Sequence, residues 1–508
     1  MRDARGHFIL VLHSHLPYVL GHGRWPHGTD WLAEAAVESY IPLLAALRRL
    51  AHDGIPPRIT IGITPVLAEQ LAHPTFREEF RHYLTEKSRV AAEDAASFRR
   101  SGFARRAELA ERWVRSFDST LHTFEVELGG DLIRAFRELQ DGGQIEIITS
   151  SATHGYLPLL GRDSSVETQV LVGCQTYRRH FGRAPRGIWL PECAYRPRYA
   201  WRRPVDGGSG APEMRAGVDE PLAENGLRFF VVDSHLLQGG KPIGVYLERF
   251  EALRELWLRA SASMVERELE LAKTPNEAYL VMSDPAAHRQ PVAILTRHPQ
   301  VSLQVWSGEH GYPGDGAYLD FHKKHHTGGL RYWRVTGAKA DLADKLEYEP
   351  EVAAGRVREH ARHFVELVES ILATYRREHG RPGLVCAPFD TELFGHWWHE
   401  GVDWIEAVLR QLAGSEIAAA STASEHLEAA PATTVVSLPE GSWGEGGFHF
   451  IWLNENTSWT WRHIYAGEDR MAALVARYRQ AGGGGRRAEL DQLMRQAGRE
   501  LLLLQSSD

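Results

Sequence analysis

Cysteine is scarce in this 508-residue chain: Cys174, Cys193 and Cys386 are an odd set without the paired spacing of a metal site. That argues against a secreted, disulfide-stapled scaffold and predicts free thiols in a reducing, cytoplasmic setting. Long apolar runs are missing too. The run at 8–12 is interrupted at once by His13 and His15, so it predicts neither a signal peptide nor an anchor, and no other stretch approaches bilayer-crossing length. Nor does one charge prevail, because 58 Lys and Arg stand against 66 Asp and Glu, a net charge of −8 with both signs mixed along the chain. Without a basic stripe, neither nucleic acid nor a membrane is an expected partner.

Tryptophan and histidine are abundant, at 15 and 26 residues, and several tryptophans sit beside glycine or proline in loop-like stretches. A pyranose ring has an apolar face and a rim of hydroxyls, so it is bound by aromatic planes together with Asp, Glu, His and Arg. A sugar polymer fits this composition.

Taken in order, seven short apolar runs read as strands, at 8–12, 58–63, 144–148, 187–190, 227–232, 301–305 and 384–389, most of them separated by helical spacing. Each runs directly into polar or aromatic residues. The first leads to His13-Ser-His15, where two imidazoles two positions apart share one face of an extended chain. Metal ligation, hydrogen bonding to a sugar and a structural role all remain open for that pair. The third leads to His154-Gly-Tyr, the fourth to Trp189-Leu-Pro-Glu192, the fifth to Asp233-Ser-His235, the sixth to Trp306 and the seventh to Asp390-Thr-Glu392 with Trp397 close behind. Strand ends that converge on chemistry are the mark of a parallel α/β barrel with its site at the C-terminal mouth, and seven of them predict an incomplete barrel.

Residues 66–140 are charged and helical in period, without a strand signal, and read as a helical insertion in a barrel formed by 1–65 and 141–424. Residues 249–272 also read as helical, while 273–300 carry no clear pattern. A glycine-rich stretch, 237–246, reads as a mobile loop with Tyr246 near its tip. From 425 the pattern changes to a Gly/Trp loop containing Trp443 and Trp452, then two helices at 465–480 and 487–504 joined by Gly482 to Gly485.

Two strand-end carboxylates, Glu192 and Asp390, lie in the densest aromatic and histidine surroundings. Glycoside cleavage needs such a pair, one to attack or stabilise the anomeric carbon and one to protonate the leaving oxygen. Five blocks, His13-Ser-His-Leu-Pro17, His154-Gly-Tyr-Leu-Pro158, Trp189-Leu-Pro-Glu-Cys-Ala-Tyr195, Phe389-Asp-Thr-Glu-Leu-Phe-Gly-His396 and Trp443-Gly-Glu-Gly-Gly-Phe-His449, resemble in order the motif regions of glycoside hydrolase family 57, and within it the 1,4-α-glucan branching enzymes. The resemblance implies an incomplete (β/α)7 barrel with a helical insertion and a C-terminal helical domain, and a retaining double displacement without metal or cofactor. It places Glu192 as nucleophile and Asp390 as general acid/base. It puts His13, His15 and His154 at the subsite of cleavage with Asp233 and His235 nearby, and Trp306, Trp443 and Trp452 along the glucan groove.

An apolar wall of Phe389 and Trp397 would help Asp390 keep its proton, and the Tyr246 loop would act as a lid against water. Residues 247–300 are longer than the family pattern. The expected partner is an α-1,4-glucan, with the protein a monomer. Three other readings compete. A 4-α-glucanotransferase or α-amylase would share the fold, a metal-dependent deacetylase or mannosidase would use His13, His15, Asp233 and His235 as ligands, and a glucan-binding protein would need only the aromatic loops.

Overall fold

A computed structural model of the protein describes residues 5–205, 211–239, 256, 273–287, 290–307, 311–326, 328–337, 339–480 and 487–507. Among these, the strands are β1 (Gly6–Ser14), β2 (Ile59–Ile63), β3 (Ile145–Ser150), β4 (Gly187–Trp189), β5 (Tyr199–Trp201), β6 (Glu213–Arg215), β7 (Phe229–Val232), β8 (Tyr279–Val281), β9 (Val292–Thr296), β10 (Leu384–Asp390) and β11 (Ala418–Ala420). The chain forms two compact units, Met1–Ile61 with Leu67–Ile147 and His298–His426, and Gly62–Val66 with Ile148–Arg297 and Leu427–Asp508.

In the first unit β1 pairs in parallel with both β10 and β11. Its run Phe8 to Leu12 is buried at every position, as a strand covered on both faces requires. The register with β10 runs from His7 opposite Leu384 to His13 opposite Asp390, which brings the two predicted site residues to neighbouring backbone positions. Helix Pro350–His379 packs on this pair through Phe364, whose ring meets Phe8 at 5.7 Å, and ends at Gly380, whose φ of +67° suits only glycine without strain. The stretch between β2 and β3 is helical as expected, with Pro74–Arg100 and Ala104–His122 as its long members.

In the second unit β3, β4, β7 and β9 pair in parallel and β8 runs antiparallel to β9. β5 and β6 form a separate hairpin. The core of this unit joins Ile188, Phe230 and Ile294 from the sheet to Tyr156, Leu438 and Trp461. The final helices are Ser458–Gln480 and Arg487–Leu504.

Several expectations need correction. The sixth strand is not at 301–305: those residues belong to helix Pro299–Trp306. The alternation of Val301, Leu303 and Val305 with polar residues imitates a strand, but Pro299 opens a helix in which Val301, Ser302 and Val305 are buried while Leu303 is 58% exposed. The strand in that place is β9, buried at all five positions inside the stretch that carried no clear pattern. The first C-terminal helix begins at Ser458, seven residues before the expected 465. Strands β5, β6, β8 and β11 are not legible in the sequence, because three-residue strands carry no period. Tyr246, most of the expected loop 237–246, nearly all of the helix at 249–272, and Gly482 to Gly485 lie outside the described residues.

Candidate functional site

The second unit builds a cleft around Glu192. β4 ends at Trp189, and Pro191–Cys193 form a single tight turn in which Glu192 (φ 61°, ψ 24°) and Cys193 (φ 49°) both adopt left-handed backbone. Among the described residues five non-glycine positions have positive φ, and His154 (φ 59°) is another of them, so three of the five meet here. Each costs on the order of 1–2 kcal/mol, which the surroundings must offset. They do so through backbone bonds from Cys193 to Leu190 (2.9 Å), Ala194 to Pro191 (3.0 Å), Trp443 to the Glu192 carbonyl (3.0 Å), and a reciprocal Tyr195–Gly441 pair.

The side chains follow the same logic. The Trp443 indole N–H donates to Glu192 Oε2 at 2.8 Å, and its ring meets Trp189 edge-on at 5.0 Å. His154 Nδ1 lies 3.9 Å from Glu192 Oε1 and 2.7 Å from the Ser507 hydroxyl. Tyr156 stacks on Trp452 at 4.2 Å, and its hydroxyl ends a buried chain through His449 (2.7 Å) and Glu440 (2.9 Å) to Tyr199. Glu192, Tyr156, Trp452, Trp459, Trp461 and the Ser506–Ser507 segment line a cleft of about 590 Å³. That is room for a few sugar rings between aromatic planes.

Asp233 and His235, at the end of β7, are also placed. Arg297 pairs with Asp233 at 3.0 Å and lays its guanidinium 5.8 Å from the Trp443 ring. Burial alone would raise the Asp233 carboxyl, but the His235 hydrogen bond and the Arg297 charge hold it below its ordinary value. The His235 Nε2 side meets the Gly447 carbonyl at 2.8 Å.

In the first unit the paired ends of β1 and β10 gather His13, His15 and Asp390. The two imidazoles are stacked with centroids 6.1 Å apart, which bears out the expected common face. Burial, with His15 adding to it, pushes His13 well below its ordinary value. Beside them the Ser14 and Thr391 hydroxyls are bonded at 2.7 Å, the His15 N–H donates to Glu392 Oε1 at 3.2 Å, and the Tyr40 hydroxyl donates to the same oxygen. Burial pushes the Glu392 carboxyl up to about 7. Phe389 is buried against Trp306 (6.3 Å) and Phe394 (5.6 Å), while Trp397 is 43% exposed.

Two sets are therefore brought together, His154, Glu192, Asp233, His235, Trp443 and Trp452 in one unit and His13, His15, Trp306, Asp390 and Trp397 in the other. Sequence reasoning missed Arg297, Glu392, Tyr40 and Trp459. Arg297 follows a strand that was misplaced, whereas Glu392 stood inside a quoted motif and was passed over for its neighbour. Among the described residues no three His, Cys, Asp or Glu side chains are grouped so as to hold a metal ion.

The pattern of glycosyl hydrolase family 57 matches residues 9–439, most of the chain. The chain belongs to glycosyl hydrolase family 57. This family 57 chain is 41% identical to the 1,4-alpha-glucan branching enzyme of Thermococcus kodakarensis over 99% of its own length and 69% of that protein. It superposes with a TM-score of 0.86 on the crystal structure of the family 57 branching enzyme from Thermococcus kodakaraensis in complex with glucose, at 41% identity, covering 99% of this chain and 84% of that one. An alpha-amylase from Thermotoga maritima is similar at a TM-score of 0.77 and 28% identity, covering 99% of this chain and 87% of that one. These likenesses bear out the expected fold class, an incomplete parallel (β/α)7 barrel with a helical insertion and a C-terminal helical domain.

Proposed function

We propose that this chain is a 1,4-α-glucan branching enzyme that works by retaining double displacement, with Glu192 as nucleophile and Asp390 as general acid/base. The observation that supports the nucleophile is its setting. A carboxylate held on a strained turn, fixed by the Trp443 indole N–H at 2.8 Å, stands at the wall of an aromatic cleft. Glu192 attacks the anomeric carbon while Asp390 gives its proton to the leaving glycosidic oxygen, and the bond to the departing glucan breaks. Asp390 then takes the proton of an arriving glucan 6-hydroxyl, which displaces Glu192 and leaves an α-1,6 branch. If water arrives instead, the product is a shorter linear chain. Each displacement inverts the anomeric carbon and the two together retain it, which requires the two carboxyl groups to approach within about 5–5.5 Å when substrate is bound.

His13, His15 and His154, with Asp233 and His235, bind hydroxyls at the subsite of cleavage. Trp443, Trp452, Trp306 and Trp397 bind the glucan, and Tyr246 on its loop excludes water. The barrel comprises 1–65 and 141–424, the insertion 66–140 and the C-terminal domain 425–508. Its natural role in this reading is glycogen-type synthesis by a cytoplasmic monomer. Among the described residues all three cysteines are buried, and no helix is long and apolar enough to cross a membrane.

The test is incubation with amylose followed by an α-1,6-specific debranching enzyme. New short chains released only by debranching, and lost in Glu192→Gln, are expected. Linear products with matching reducing ends would instead make the protein an amylase, the activity named for the similar Thermotoga maritima protein.

A further inference from the structure

β1 and β10 stop pairing at His13 and Asp390, yet the chains beyond them stay together. Three ties hold them: the Ser14–Thr391 hydroxyl pair at 2.7 Å, the His15 N–H on Glu392 Oε1 at 3.2 Å, and the Tyr40 hydroxyl on that same oxygen. Tyr40 ends a π-helical turn, Ala36–Tyr40, in the middle of an otherwise α-helical stretch. Such single wide turns recur where a helix serves a site. The loop after Glu392 presses on this turn so closely that a Cβ at Gly395 (φ +105°) would lie 1.8 Å from the Glu38 carbonyl oxygen, and His396 is bonded to the Glu38 carboxylate. Glu392 is the side chain at which the β1 end, the π-turn and the Asp390 loop all meet, and it is buried.

We propose that Glu392 is a positioning residue for the general acid: through the His15 N–H and the Tyr40 hydroxyl it fixes the backbone of Asp390 so that the proton is delivered to the glycosidic oxygen. This rests on the assignment of Asp390 as general acid/base. A carboxyl in this buried place, bonded to two donors at one oxygen, is rigid, and its neighbour two residues back inherits that rigidity.

The test exploits leaving-group chemistry. Cleavage of amylose needs a proton on the departing oxygen, whereas a nitrophenyl α-maltooligoside departs without one. In Glu392→Ala, turnover of amylose should fall at least tenfold while formation of the glycosyl-enzyme from the nitrophenyl substrate falls less than threefold, with KM for amylose little changed. Glu392→Gln, which keeps an oxygen for both donors, should recover most of the loss. Tyr40→Phe, which disturbs packing least, should show the same selective loss in smaller degree. Equal losses on both substrates in Tyr40→Phe and Glu392→Ala, or no loss on amylose, would overturn the proposal. A wild type that cleaves amylose without making branches would defeat the branching reading alone, because both rates here report cleavage. A wild type that cleaves neither substrate would overturn both.

Discussion

The indole N–H of Trp443 donates to Glu192 Oε2 at 2.8 Å, while the backbone N–H of the same tryptophan donates to the Glu192 carbonyl at 3.0 Å. One residue therefore fixes both the peptide and the carboxylate of the proposed nucleophile. Trp443→Phe keeps the ring and the backbone bond and removes only the side-chain donor. A hydrogen bond to a charged group contributes about 1.5–3 kcal/mol, so kcat on amylose should drop about 10- to 100-fold. Steady-state kinetics check it; unchanged kcat would show that the indole N–H does not serve the reaction.

Asp390→Asn should reduce amylose turnover by about 10²- to 10⁴-fold, the usual contribution of a positioned acid or base. Adding azide with a nitrophenyl substrate should then restore release by supplying a nucleophile that needs no deprotonation. Absence of rescue would remove Asp390 from the acid/base role.

Ser507 bonds His154 from two sides, its hydroxyl to Nδ1 at 2.7 Å and its N–H to the carbonyl at 3.1 Å. The segment is held by buried Gln505, bonded to Gln169 and Glu468 at 3.1 Å each. Ser507→Ala should raise KM for glucan a few-fold with melting temperature unchanged, since the lost bond is one neutral contact of about 1 kcal/mol. A constant KM would detach this segment from the sugar subsite.

Glu400 is buried beneath Tyr348 and the Leu319 N–H, and burial pushes its carboxyl up to about 7. A carboxyl with a raised folded-state value holds its proton more tightly when folded, so its stabilising contribution is full below about pH 4.5 and is lost as pH rises through about 7. Glu400→Gln removes that dependence. Relative to wild type, the variant should gain on the order of 3 kcal/mol between pH 4.5 and 8. Denaturant unfolding at the two pH values measures it, and parallel curves would refute the buried protonated carboxyl.

Treatment with a chelator should leave branch formation unchanged. Stoichiometric zinc in the purified protein, with activity lost on its removal, would replace the two-carboxylate mechanism by a metal-dependent one.

The sequence was most legible where a strand is long or where a motif is dense. β1, β2, β3 and β10 lie within two residues of the expected bounds at each end because all but one position at most in each is buried. Helix Pro350–His379 is legible in the same way, because Ala353, Val357, Ala361, Phe364, Val368, Leu372 and Tyr375 keep one helical period along its buried face. At 301–305 the local alternation was genuine, but Pro299 and the burial of Ser302 beside Val301 favour a helix, which only packing reveals. Tyr40 and Arg297 gave no sign of their role, because each reaches its partner across a fold: Tyr40 is 352 positions from Glu392.

By itself the sequence determined the parallel α/β class and the family, and it singled out the two carboxylates proposed for catalysis, since these depend on residue type, order and short-range period. Only the tertiary structure decided that Glu192 sits on a strained left-handed turn, that Trp443 holds it, and that Glu392 ties the end of β1 to the Asp390 loop. Hydrogen bonds between residues hundreds of positions apart are directional and need angstrom-scale register. That register comes from the packing of whole elements and is written in no local stretch of the chain.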